Sequence, residues 1–405
     1  MTAVMQISIL KFGGTSLGSH RGRDIAVARV REAIERGTRP VVVCSAMGRA
    51  PEPYATDTLL SMLEPSDPNA NTDLLLASGE LISAAYVAAL LEKAGIPARA
   101  LTGAQAGIIT DNAFGNAHIL RVEPVRVREL LDDGIVPIVA GFQGMTTMGE
   151  ITTLGRGGTD LSAIALGHAL NAQSIDIYTD VNGAMSADPQ RVPSAKTIDQ
   201  AQLLEISEFS QHGAGVMHAK AAEYARVTKT PYAIKHLENN RGTVVHDGIV
   251  LDRPVTGVTS TGNLSFVRVI RDDLPDQKAR MELELEMFQR LADRQISLDQ
   301  ININTAGVFF AVKSESAAQV RELLNDMNLA VRIREGCAKL SVVGAGMRGQ
   351  PGVMYRIIAA LSEANVEVIH CTDSNITISV LIPQEDVERA ERAVHDRFEL
   401  GGKTE

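Results

Sequence analysis

From residue 6 to about 245 the chain alternates short β-rich runs with longer helical patterns, and this alternation constrains the fold more than any other feature. The strands read "ISILKF", "RPVVVCS", "IPARALT", "IVPIVAGF", "SIDIYTD" and "TPYAIK", with helical patterns over 21–36, 72–93, 124–133, 160–171 and 214–228. Apolar strands separated by crossover helices predict an α/β fold: a mainly parallel sheet sandwiched by helices. In such sheets ligands sit at the carboxyl ends of the strands, so the turns that leave those ends are where chemistry is to be sought.

After "RGTVVHDGIVLDRP" the texture changes to an internal duplication. "LADRQISL" (291–298) recurs as "LSEANVEV" (361–368), "VFFAV" (308–312) as "ISVLI" (378–382) and "RELLNDMN" (321–328) as "ERAVHDRF" (391–398), all at an offset of 70, while "LSFVRV" (264–269) recurs as "LSVVGA" (340–345). Two copies of one βαββαβ unit, the ferredoxin-like split βαβ, account for the pattern. The expected organisation is one α/β domain over 1–245 and two C-terminal modules over 256–335 and 336–402. A repeat of this kind is either a pair of structural modules or a ligand sensor.

Bulk properties narrow the partners. A net charge of −10 argues against a general nucleic-acid or anionic-membrane binder, leaving a small molecule as the expected partner. Cys44, Cys337 and Cys371 are odd in number and far apart, which reads as buried thiols in a reducing compartment rather than disulfides or a metal site. The start "MTAVMQISILKF" lacks a basic leader region, and no apolar stretch elsewhere reaches 18 residues, so a cytoplasmic location is expected.

Four strand ends carry polar clusters. "LKFGGTS" offers the ammonium of Lys11 beside Gly13 and Gly14, whose backbone can approach phosphate oxygens, though the order of residues is not a Walker A loop. "CSAMG" and "YATDTLL" supply the hydroxyls of Ser45 and Thr56, with helix capping by Thr56 or Asp57 as the structural alternative. Glu80 is the acidic group of the apolar stretch "LLLASGELISAAYVAALL" and needs a cation, either a substrate ammonium or a structural arginine. "LGRGGTD" combines Gly155, Gly157 and Gly158, able to take positive φ, with the planar fork of Arg156 and a helix that Thr159 or Asp160 can cap. "YTDVNGAMSADPQ" brings Thr179 and Asp180 to a strand end and then two tight turns, Asn182-Gly183 and Asp188-Pro189.

Taken in order, "KFGGTS", "CSAMG", "SGELIS", "TGAQAGI", "VAGFQG", "TTLGRGGTDLSA" and "IYTDVNGAMSADP" resemble the aspartokinases of the amino acid kinase family, and the duplication resembles their paired ACT modules. The length is similar to that of the monofunctional type. The resemblance implies phosphoryl transfer from ATP, with Mg²⁺, to the side-chain carboxylate of L-aspartate, the first step toward lysine, threonine, methionine and diaminopimelate. It implies catalytic roles for Lys11 and Asp180, with Asp180 orienting Lys11. ATP would meet Lys11, Gly13, Gly14, Ser45, Thr179, Asp180, Ser186 and Asp188, while Thr56, Glu80, Arg156, Thr159 and Asp160 would hold aspartate. No resident metal site is implied.

The sequence departs from the family around the nucleotide. A lysine usual in "GAKVLHPR" is replaced by Gly215 in "GAGVMHAKAAEYA", a change expected to cost about 10² to 10³ in rate unless Lys220 or Lys235 substitutes. His236 stands where "VRSS" has a small hydroxyl, and Gln190 where an arginine commonly follows Asp-Pro. A weakly catalytic sensing subunit and a kinase for a related acid are the alternatives. "GAGMRGQPGV" resembles an effector loop, with amides from Met347 through Pro351, Gly352 and Val353 for a carboxylate and Asp299 of the other copy for an ammonium; "RDDLPDQKA" lacks the glycines, which implies one effector site per chain. ACT modules pair across subunits, which implies a homodimer.

Overall fold

The computed structural model describes residues 6–64, 67–248, 253–270, 277–327 and 329–401, and it resolves into two compact units. The first comprises the chain to Met185 together with Thr197–Gln211 and Gly215–Val250; the second comprises Ser186–Lys196, His212–Ala214 and everything from Leu251 onward.

The first unit is built on an eight-stranded sheet. Its strands are β1 (Ile7–Phe12), β2 (Arg39–Cys44), β3 (Ala98–Leu101), β6 (Val136–Ala140), β9 (Ser174–Thr179), β10 (Gln200–Gln202), β11 (Tyr232–His236) and β12 (Gly242–His246), in the order β10-β12-β11-β9-β1-β2-β6-β3. All neighbours are parallel except the β11–β12 hairpin. A small second sheet, β5-β4-β7-β8, uses β4 (Ile108–Thr110), β5 (Ile119–Val122), β7 (Gln143–Thr146) and β8 (Ile151–Thr153). The helices are α1 (Gly14–Gly18), α2 (His20–Glu35), α3 (Thr56–Leu60), α4 (Ala70–Lys93), α5 (Val125–Asp132), α6 (Gly158–Leu170), α7 (Leu203–Gln211) and α8 (Ala219–Thr228). The pattern expected as one helix over 214–228 begins only at Ala219, because residues 212–218 form turns and the His218 side chain caps α8 by accepting from Lys220 N.

The core follows from sequence. β1 and β2 are buried on both faces, as strands covered by helices require, and Phe12 stacks on Tyr178 across β1 and β9 with ring centroids 5.2 Å apart. α4 is capped by Asn69, which accepts from Asn71 N and Thr72 N, and it packs against β3, β6 and β8. Its buried stripe runs Asp73, Leu76, Ala77, Glu80, Ser83, Ala84, Val87 and Leu91, the spacing of one helix face. By length and composition α4 is also long and apolar enough to cross a membrane, contrary to the expectation that no stretch is; half of its most apolar 18 residues are buried. Small residues and sparse charge give it that character without an unbroken apolar run.

The second unit is one six-stranded antiparallel sheet, β14-β15-β13-β16-β18-β17, made of β13 (Gly257–Ile270), β14 (Asp299–Asn304), β15 (Gly307–Lys313), β16 (Ala330–Val343), β17 (His370–Asp373) and β18 (Thr377–Pro383). The helices α9 (Gln277–Asp293), α10 (Ala317–Asp326), α11 (Val353–Glu363) and α12 (Val387–Arg397) complete it. The repeats found by offset fall on equivalent elements: 308–312 and 378–382 on β15 and β18, and 321–326 and 391–397 on α10 and α12. Each copy has the ferredoxin-like order, but the copies are not consecutive. Gly257–Thr261, at the start of β13, pairs with Lys339–Val343, so the fourth strand of the second copy precedes the whole first copy.

Candidate active site

The carboxyl ends of β1, β2, β6 and β9 lie side by side, since these strands are parallel neighbours, and their outgoing turns form one rim. Lys11, next to last in β1, is nearly buried, and its Nζ lies 2.7 Å from Asp160 Oδ1 in the first turn of α6. That nitrogen also lies 3.5 Å from where a Cβ on Gly13 would sit, ordinary van der Waals contact, so the ammonium rests directly beside the Gly13 turn. A Cβ on Gly14 would come within 2.6 Å of Ala46 O and 2.9 Å of Gly48 O; the glycine lets the β1 turn rest on the β2 turn. Ser45 opens that second turn, its amide held by Phe12 O at 3.1 Å.

The opening loop of α6 is shaped by two glycines rather than three. Gly155 and Gly157 have φ of 75° and 71°, and Gly157 is the N-cap, while Gly158 is already helical. Thr159 and Asp160 do not cap the helix; they occupy its first turn, where free amides and the helix dipole favour an anion. Thr159 packs over Gly141 beyond β6, where a Cβ would lie 2.5 Å from Thr159 Cγ2. Arg156 is exposed, with no ion pair among the described residues.

Glu80 is 2 % exposed; Oε1 accepts from Ala46 N at 3.2 Å and Oε2 has no partner. No basic side chain pairs with it among the described residues, which removes the structural arginine as the answer to its burial. Desolvation pushes its carboxyl up to about 8, against the Ala46 amide that pulls it down. Thr56 lies at the start of α3, whose N-cap is Ala55, so neither Thr56 nor Asp57 caps it. That loop is held against α4 because Gly79 leaves room for Tyr54 O, 2.6 Å from its would-be Cβ.

On the other side of β1, a cleft of about 310 Å³ is lined by Thr15, Ser16, Arg21, Thr179, Asp180 and His236 among others. Thr179 Oγ1 donates to Asp180 Oδ1 at 3.1 Å. Asp180 does not meet Lys11: it lies past the end of β9, exposed, with Arg49 at 3.9 Å, whereas Asp160 comes down onto Lys11 from α6. His236 lines this cleft while its Nδ1 accepts from Glu238 N at 3.2 Å.

Two expected nucleotide contacts are placed in the second unit. Ser186 Oγ is buried against His395 Nε2 at 2.9 Å, and Asp188 Oδ1 accepts from Gln190 N at 2.9 Å in an Asx turn, with Arg191 Nε 3.6 Å from its other oxygen. Gln190 is exposed on that turn. Neither candidate substitute for the missing lysine is available: Lys235 pairs with Asp176 at 2.8 Å, and Lys220 Nζ is surrounded by backbone carbonyls. Gly215 is exposed in a turn, with nothing within 4 Å of its would-be Cβ.

In the second unit, the loop at 344–353 owes Gly344 and Gly346 to close packing on Pro254 and Arg253, and Gly349 and Gly352 to φ of 74° and 92°. Met347 is buried; Gly352 is the N-cap of α11, which starts at Val353, and Pro351 is exposed beside it. Asp299 is ion-paired with the buried Lys339 of β16. The segment 271–276 of the compared turn lies outside the described residues. Cys44 and Cys337 are buried, Cys371 partly so, and all three are free thiols.

Sequence reasoning missed Asp73, His218 and the role of Lys220. Asp73 is a buried acid one heptad before Glu80 on the same stripe, and that spacing was the available signal.

The amino acid kinase family matches residues 6–236, and an ACT domain matches 340–398. Aspartokinase 1 of Bacillus subtilis is 38% identical over 98% of this chain and 100% of its own length; an aspartokinase of Thermus thermophilus is 36% identical over 98% and 99%. Among solved structures, Escherichia coli aspartokinase III in complex with aspartate and ADP has a TM-score of 0.78 at 24% identity, covering 97% of this chain and 99% of its own, and supports the fold. With its length matched end to end and both domain types in order, the chain belongs to the aspartokinase family.

Proposed function

We propose that this protein transfers the γ-phosphoryl group of ATP to the side-chain carboxylate of L-aspartate, giving 4-phospho-L-aspartate and ADP. The observation that carries the reading is the charge pattern of the rim. A cation at Lys11, an unpaired fork at Arg156 and an unpartnered buried carboxylate oxygen at Glu80 are complementary to a molecule with two carboxylates and one ammonium. Arg156 and the first-turn amides at Thr159 and Asp160 take the α-carboxylate, Glu80 takes the ammonium and Thr56 closes the polar edge.

The acceptor carboxylate is ionised at neutral pH, so the reaction needs no general base. One of its oxygens attacks the γ-phosphorus as the bond to the β-phosphate oxygen breaks, and the protein's task is alignment and charge compensation. Lys11 and the amides of Gly13 and Gly14 serve the β- and γ-phosphates, and Ser45, Thr179 and Asp180 border the nucleotide. Mg²⁺ fits this donor set as a metal carried in on the phosphates, because Asp180 is a single exposed carboxylate rather than part of a cage.

The second unit is read as the control element, taking an amino-acid effector at Met347, Pro351, Gly352 and Val353, pairing with a second copy of the chain in a homodimer, and working in the cytoplasm. The test of the catalytic reading is direct. Purified protein with ATP, Mg²⁺ and single acidic amino acids, quenched in hydroxylamine, should give hydroxamate with aspartate. Signal with another acid alone, or with none, overturns it.

A further inference from the structure

The 115–117 segment and the foot of the Arg156 loop are gripped from two sides. Asp73 is 0 % exposed, and its carboxylate accepts from Gly115 N at 2.9 and 3.0 Å, from Thr153 N at 2.6 Å and from Thr153 Oγ1 at 2.9 Å. Lys220 Nζ makes the complementary set: Ala117 O at 2.8 Å, Leu154 O at 3.0 Å, Asn116 Oδ1 at 3.0 Å and Asn116 O at 3.4 Å. One buried anion thus collects donors from Gly115 and Thr153, while one cation collects acceptors from the next residues, Asn116, Ala117 and Leu154.

The glycines of the loop close the arrangement. A Cβ on Gly155 would lie 2.7 Å from the same Asn116 Oδ1 that Lys220 holds, and a Cβ on Gly157 would collide with His218, whose Nδ1 accepts from Lys220 N at 3.4 Å. The segment from Leu154 to Gly158 is therefore packed between two residues that Lys220 tethers. Arg156 lies within it, exposed, with no hydrogen bond or ion pair of its own among the described residues. A guanidinium held only by its backbone binds a carboxylate well when that backbone is fixed, since ordering is then already complete.

We propose that Asp73 and Lys220 are positioning residues for aspartate, acting through the backbone of the Arg156 loop. This rests on the reading that Arg156 grips aspartate. Neither residue touches substrate or nucleotide. Their loss loosens the aspartate side of the site and leaves the nucleotide side intact, because the turns after β1 and β9 share none of these bonds.

The experiment compares Lys220→Met, Lys220→Arg and Asp73→Asn with wild type in the hydroxamate assay, alongside Arg156→Ala. Lys220→Met and Asp73→Asn are expected to raise the aspartate KM tenfold or more with the ATP KM within twofold, Lys220→Arg to recover most of the loss, and the double variant to fall short of the product of the single effects. The exchange rates of the Gly115 and Thr153 amides should rise in Asp73→Asn. If Arg156→Ala leaves the aspartate KM unchanged, the reading of the loop itself fails. If Arg156→Ala raises it while Lys220→Met does not, or raises both KM values equally, the clamp fails alone. Lys220 is partly exposed, so its variants keep the test open should Asp73→Asn not fold.

Discussion

The ammonium of Lys11 is 2.7 Å from the carboxylate of Asp160, and not beside Asp180, so the carboxylate that holds this cation belongs to the helix that follows the Arg156 loop. The pair joins the two halves of the proposed site: what holds Lys11 in place also begins the helix to which the aspartate contacts are assigned by proposal.

The first prediction ranks the two carboxylates. Asp160→Asn is expected to lower kcat more than Asp180→Asn, and Lys11→Ala to lower it by about 10² to 10³, the usual cost of one preorganised donor. Steady-state rates of the three variants decide it; Asp180→Asn as the costlier carboxylate change returns the orienting role to Asp180.

The second concerns pH. Burial raises the Glu80 carboxyl from its ordinary range to about 8, so between those values the folded chain holds a proton that the unfolded chain has released. Folding stability from this group therefore falls as pH rises through that window. Glu80→Gln removes the dependence, and its Tm relative to wild type should rise from about pH 5 to about pH 8. Substrate ammonium needs the ionised carboxylate, so the wild-type aspartate KM should fall as pH climbs toward the same value, and the Gln variant should show a high, flat profile. A flat wild-type profile removes Glu80 from the ammonium contact.

The third restores a charge. Gly215→Lys has open space for its side chain, and both lysines nearby in sequence or on the sheet are engaged elsewhere. The variant is expected to raise kcat about tenfold or more, with thermal stability changed by less than about 0.5 kcal/mol. An unchanged rate shows that this site does not miss the family's ammonium.

The fourth addresses the fork. Arg156→Lys replaces two parallel hydrogen bonds with a point charge, and losing a charge-assisted bond worth about 1.5–3 kcal/mol predicts a rise in aspartate KM of roughly 10- to 150-fold, with ATP KM unaffected. Equal KM values for the two proteins take Arg156 out of the substrate's contacts.

Much of this was legible from residues alone, and the reasons differ by element. β1, β2, β6, β9 and β11 were visible because strands buried on both faces are apolar runs ending in turn residues. The small sheet of β4, β5, β7 and β8 was not, since its strands of three or four residues lie among turns and, unlike the equally short β3, follow no long helix. Lys11, Glu80 and Arg156 could be named because each is a charge in a place that needs a reason. The Lys11–Asp160 pair could not, because it depends on how α6 descends onto β1, a tertiary fact. Asp73 escaped for the opposite cause: at the start of α4 an acid looks like routine complement to the helix dipole, and its heptad spacing from Glu80, the one sequence signal, does not show the partners that give it a role.

The register of β13 has one more implication. Because Gly257–Thr261 completes the sheet of the copy that ends at the carboxyl terminus, the two copies are nested rather than strung in series. Cutting the gene after residue 335 would strand an unpaired sheet edge, and excising the intervening copy would require rejoining residues near 262 and 337. Because β13 and β16 each run through both copies with no linker between them, the pair is expected to unfold as a single cooperative body.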